Sequence, residues 1–172
     1  IPGWTGSPNG EIQSAPTISA VDAQDGRYYA ELDTNKNSTI YQDVMLDAGK
    51  YLLSFWYSPR VPASGNPSAS TNDMTFAVGS LLSGSVNGAP NAAFPHKVWT
   101  EVTSLFTVGT AGTYRLSFSG AGAQDERNGC GDCGALIDNI SISAVPLPAS
   151  ALFLLAGIGG LGALRARRRA VA

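Results

Sequence analysis

One seven-residue pattern occurs twice in this 172-residue chain and restricts its folding more than any other feature: GKYLLSF at 49–55 and GTYRLSF at 112–118, both Gly-x-Tyr-x-Leu-Ser-Phe. Each follows a run rich in strand formers, STIYQDVML and WTEVTSLFTV, across a short turn containing Ala and Gly. The arrangement predicts two β-hairpins. In the second copy Tyr114, Leu116 and Phe118 alternate with Thr113, Arg115 and Ser117. Alternation of this kind puts the apolar set on one face and the polar set on the other, as in a sheet with one side in a core.

YYAELD, DMTFAV and GALIDNISIS are further strand candidates, and 20 glycines and 10 prolines supply the turns between them. The fold expected is all-β, two antiparallel sheets packed face to face in a jelly-roll-type sandwich. An open barrel or an immunoglobulin-like sandwich is the alternative. The length accommodates one domain, 1–144, and a tail, 145–172, expected to form one short hydrophobic helix. Between two strand candidates lies SPRVPASGNPSASTND, 58–73, too rich in Pro, Ser, Gly and Asn for a regular element and long enough to be functional or disordered.

Charge is unevenly placed. Residues 1–148 carry thirteen acidic and seven basic side chains, a net charge of −6, and the remaining four arginines follow. Such a body repels phosphate backbones, so no nucleic-acid partner is expected.

Residues suited to catalysis are sparse. His96, the single histidine, stands between Pro95 and Lys97 in a loop, without a nucleophile context around it. Glu31 and Asp33 share a strand face; paired carboxylates can hydrolyse glycosides, but strand-edge acids more often take turn hydrogen bonds or a structural cation. The chain is therefore expected not to be an enzyme.

Asp138 shares its parity with Leu136, Ile140 and Ile142, an inward face where a carboxylate must be paired. A structural Ca²⁺ held by Asp138 with Glu31 and Asp33 would satisfy it; a bulge turning Asp138 outward is the alternative. Cys130 and Cys133 fall short of a four-ligand zinc site, and in an exported protein they are expected to form a disulfide closing a tight loop. Trp56 has the opposite parity to Leu53, Phe55 and Tyr57, which makes it the best aromatic candidate for a surface site, with Tyr57 and Arg60 beside the 58–73 loop.

The tail raises a different question. From 149 to 164 sixteen residues carry no charge, followed by Arg165, Arg167, Arg168 and Arg169. A helix of sixteen residues rises about 24 Å, at or below the short limit for a bilayer span, and the arginines would hold its end on the cytoplasmic side. A temporary anchor suits such a segment better than a permanent one.

VPLPASALFLLAGIGGLGALRARRR, 145–169, resembles the VPLPA variant of the bacterial PEP-CTERM sorting signal, with Val145, Pro146, Leu147, Pro148 and Ala149 as its motif. Leu147 stands where the commoner form has Glu. The resemblance implies a Gram-negative exported protein, anchored transiently in the inner membrane with its body periplasmic. An exosortase then processes the tail, leaving the body at the cell surface or in the extracellular matrix.

The body is similar to galactose-binding-like and carbohydrate-binding-module domains through IPGWT, DGRYYAELD, STIYQDV, YLLSFWYSPR and LIDNISI. In those relatives a first strand stands before the GWT segment. That similarity implies an exopolysaccharide ligand for Trp56, Tyr57 and Arg60. Self-association as a matrix or filament component is the competing expectation.

Overall fold

The computed structural model describes residues 3–7, 10–15, 22–33, 36–60, 72–88, 98–122 and 134–146. Within them ten strands form two five-stranded sheets. Sheet I has the order β1 (Thr5–Gly6), β4 (Thr39–Leu46), β9 (Gly112–Gly120), β6 (Met74–Val78), β7 (Leu82–Val86). Sheet II has the order β2 (Glu11–Ser14), β3 (Tyr28–Glu31), β10 (Ala135–Ala144), β5 (Gly49–Pro59), β8 (Thr100–Val108). All neighbours are antiparallel.

The repeated heptapeptides are not hairpins. β4 and β5 lie in different sheets, as do β8 and β9, so each repeat crosses the sandwich at its turn. The two units instead pair reciprocally: β4 runs along β9 from Thr39↔Ser119 to Leu46↔Gly112, and β5 along β8 from Gly49↔Val108 to Tyr57↔Thr100. Turn length does not separate the two outcomes. Three Cα steps of about 3.8 Å, from Leu46 to Gly49, already reach the ~10 Å between stacked sheets.

The tyrosine of the repeat ties down each crossing. Tyr51 Oη donates to the Asp47 carbonyl at 3.0 Å, and Tyr114 Oη donates to the Thr110 carbonyl at 2.6 Å. Each ring folds back over its own corner, lying beside the repeat's glycine, where a Cβ would come within 3.6 Å (Gly49) or 3.7 Å (Gly112) of ring carbon. Both corners are tied the same way, four residues back.

The remaining repeat positions build the core between the sheets. Leu53 and Phe55 point in from sheet II, Leu116 and Phe118 from sheet I, all buried. The equivalent phenylalanines meet edge to face, Phe55 with Phe118 at 5.0 Å, and Phe55 also meets Phe76 at 5.1 Å. Such pairs add roughly 0.5–1.5 kcal/mol each beyond the area they bury. Gly84, opposite Phe76, leaves the space that the Phe76 ring occupies.

β10 contains a bulge. Asp138 faces Trp56 and Ser141 faces Ser54, so β10 carries one more residue than β5 over that interval, and Asn139 takes φ +47°. The extra residue resets the alternation. Leu136 and Asp138 point outward from sheet II, while Ile140 and Ile142 pack on the core. The expectation that Asp138 shares the inward face is corrected, because the parity count ran across the bulge.

Candidate functional site

The outer surface of sheet II divides into a covered half and an open half. In the covered half Tyr29 and Leu136 are fully buried although they point away from the main core. They form a second apolar cluster beneath Ala15, Ala23 and Trp99. The Trp99 ring meets Tyr29 edge to face at 5.8 Å, and its indole N–H donates to the Asp22 carbonyl at 2.8 Å.

Asp138 anchors this cover. Its Oδ2 accepts from the Gln24 and Asp25 amides at 2.8 and 3.0 Å, and its Oδ1 from the Asn139 amide at 2.7 Å. Asn139 Nδ2 donates to Gln24 Oε1 at 2.8 Å. Three amide donors satisfy the carboxylate without a cation.

Glu31, also in the covered half, has no solvent exposure and receives Arg60 Nη1 at 2.7 Å. Burial pushes its carboxyl from the ordinary 4.5 up to about 7, against the lowering effect of the Arg60 charge and hydrogen bond. Asp33 lies buried beyond the end of β3, bridged to Asn37. The structure therefore does not assemble Asp138, Glu31 and Asp33 into one cation site, and among the described residues no group of three or more His, Cys, Asp or Glu is placed to hold a metal ion.

Arg60 is held in place by Asn72 across the base of the 61–71 segment. The Arg60 amide donates to Asn72 Oδ1 at 2.7 Å, and Asn72 Nδ2 returns a bond to the Arg60 carbonyl at 3.2 Å. Tyr57 Oη donates to the Asn72 carbonyl at 3.0 Å. Tyr57 is thus a core residue, 5% exposed, and offers no ring to a ligand. Its parity with Leu53 and Phe55 decides this, overriding its proximity to Trp56 in sequence.

In the open half Trp56 is half-buried and points outward, flanked by Asp138 on β10 and Glu101 on β8. Ser54 Oγ donates to Glu101 Oε1 at 2.7 Å, which orients that carboxylate beside the indole. Thr103, paired with Ser54, and Leu105, 70% exposed, continue the surface along β8. A ring with a fixed acceptor beside it suits a ligand with one apolar face and a rim of hydroxyls: the ring packs on the apolar face and the Glu101 carboxylate accepts from the rim.

Glu101, Ser54 and Asn72 did not emerge from the sequence. The register of β5 against β8 is what brings Glu101 to Trp56, and no single strand carries that information.

Other expected sites fall elsewhere. Cys130, Cys133, His96, Leu147, Pro148, Ala149 and Arg165, Arg167, Arg168 and Arg169 lie outside the described residues. Val145 continues sheet II, its amide donating to the Lys50 carbonyl at 2.8 Å, so the folded body reaches the first residue of the sorting-like motif. Among the described residues no helix is long and apolar enough to cross a membrane.

The architecture is the β-sandwich of carbohydrate-binding modules. The chain is similar to the module TmCBM61, solved in complex with beta-1,4-galactotriose, at TM-score 0.59 and 16% identity over 83% of this chain and 88% of that one. It is similar to a family 35 carbohydrate binding module from Clostridium thermocellum at TM-score 0.51 and 13% identity, covering 83% and 92%. The Stig cyclase Fisc from Fischerella sp. TAU shares the fold at TM-score 0.54 and 15% identity, covering 86% and 87%. Binding modules and an enzyme thus share this scaffold. No protein-family profile matches the chain, and no curated protein sequence does.

Proposed function

We propose that the chain is an exported, non-catalytic polysaccharide-binding module, carried to the cell surface or extracellular matrix by its C-terminal segment. The observation that carries the binding half is the outward Trp56 ring between Glu101 and Asp138 on sheet II. The fold shared with carbohydrate-binding modules supports it. The Arg60 guanidinium is engaged by Glu31 in the covered half, so the proposed contact rests on Trp56 and Glu101.

Affinity electrophoresis through gels containing different bacterial exopolysaccharides tests the reading. Retardation by at least one polysaccharide is expected, weakened about 30-fold or more in Trp56→Ala, the loss typical of a central aromatic anchor. A folded protein that migrates freely in every gel, or a Trp56→Ala variant retarded as strongly as the parent, overturns it.

The sorting half rests on the resemblance of 145–169 to the VPLPA signal, with an exosortase as the processing partner and the inner membrane as its transient site. Mass determination of the mature C-terminus in a Gram-negative host with and without its exosortase tests this: an intact 145–172 tail in both backgrounds rejects it.

A self-associating matrix component is the second reading, favoured by β8, a nine-residue edge strand that carries exposed Leu105 and follows exposed Val98. Concentration-dependent assembly in sugar-free buffer, abolished by Leu105→Glu, would support it.

A further inference from the structure

At the margin where β1 closes sheet I and β2 closes sheet II, the two sheets part and leave a cleft of about 320 Å³. Its sheet I wall is Trp4, whose ring lies 6.0 Å from Phe118, with Ile40 behind it. Its sheet II wall is Ile12 and Tyr28, and Ile140 is among the side chains that line its interior. The bulge at Asn139 creates this lining, because the extra residue is what turns Ile140 inward.

Two features define what the cleft can hold. Ile12 and Tyr28 are 45% and 55% exposed at its lip, apolar surface that a ligand would cover. Two polar side chains at the rim are already engaged, the Asp138 carboxylate by three amides and Asn139 Nδ2 by Gln24; the Thr5 and Tyr28 hydroxyls complete the polar lining. A charged or polyhydroxylated guest would give up water here and find few partners, whereas an apolar guest gains on entry.

We propose that this cleft binds an uncharged, largely apolar molecule of one or two fused rings, seated between Trp4 and Tyr28. The volume is about twice the ~150 Å³ of a cavity that accepts benzene, and stands at the small end of the ~300–1,000 Å³ range of small-molecule sites. Asp138 borders both this cleft and the outward Trp56 surface, but Trp56 and Glu101 do not line the cleft, and the proposal does not depend on the polysaccharide reading.

The test is a titration of the full chain with 2-naphthol, followed by NMR of the isoleucine methyl groups. The expected result is saturable shifts at Ile12, Ile40, Ile137 and Ile140. Ile12→Trp, which fills the mouth from an exposed edge position, should weaken binding about tenfold or more, and Tyr28→Ala should weaken it as well. Trp56→Ala should bind as the parent does. Shifts confined to Ile158 in the tail, equal binding by both cleft variants, or stronger shifts at the same methyls with glucose than with 2-naphthol would each overturn the proposal.

Discussion

Among the described residues each sheet carries one arginine–carboxylate pair on its outer surface, and the two close at nearly the same distance, 2.7 Å for Arg60–Glu31 on sheet II and 2.8 Å for Arg115–Asp43 on sheet I. Yet the carboxylates move in opposite directions. Glu31 is pushed up to about 7 by burial, and Asp43 is held below its ordinary value chiefly by its hydrogen bonds from Arg115. Contact distance therefore does not decide what a pair contributes; the water around it does. Sheet II has paid this desolvation where a second apolar cluster covers its surface, and sheet I, with no such cover over Asp43, has not.

The largest consequence follows from breaking the buried pair. In Arg60→Ala the Glu31 carboxylate loses the Arg60 charge and hydrogen bond, keeping only the Gly134 backbone hydrogen bond among the influences that lower its pKa, so it binds its proton still more firmly. At pH 8, where folding must bury the charge or take up a proton, the variant should be destabilised by about 3–5 kcal/mol. At pH 5, where Glu31 is protonated in the folded protein, the cost should be far smaller. Denaturant unfolding at the two pH values measures this, and an equal loss at both would break the comparison.

The parent protein should show a weaker form of the same dependence. Because the folded value for Glu31 lies above the ordinary one, its contribution is fully present below about pH 4.5 and is lost as pH rises through about 7. The rise to about 7 amounts to roughly 3 kcal/mol at most. Glu31→Gln removes the titrating group and should flatten the stability profile between pH 5 and 8. An unchanged slope would assign the dependence to another group.

The sequence disclosed the alternation but not the partners. Tyr114, Leu116 and Phe118 were legible as an inward row, and Trp56 as an outward one, because a two-residue period needs only local information. Whether GKYLLSF turns back on its own sheet or crosses to the other depends on which strands stand ready to pair, and β9, the partner of β4, lies more than 60 residues from it in the chain. For Asp138 the sequence left two readings open, the inward face and a bulge turning it outward, and the structure shows the second. One additional residue at Asn139 inverts every later parity, and an Asn within a strand does not announce a bulge. The Trp56 site was half legible: the ring from its own strand, Glu101 only through the register of β8.

The smallest effect should come from the exposed pair, and it sharpens the contrast. Arg115 bonds both oxygens of Asp43, at 2.8 and 2.9 Å, and stacks over the Tyr41 ring at 4.0 Å, a geometry as well formed as that of Arg60. Both side chains are about half exposed, so water and salt replace most of what the pair provides. Arg115→Ala should lower the unfolding midpoint only slightly, and equally at pH 5 and pH 8, because Asp43 is ionised at both. In the same variant the Asp43 carboxyl, followed by NMR, should rise to its ordinary value as the Arg115 hydrogen bonds are removed. A small rise in the Asp43 value with an equally small stability loss, the same at pH 5 and pH 8, is the signature of a solvated pair. If Arg115→Ala destabilised the fold as Arg60→Ala does, geometry rather than burial would set the strength of both pairs.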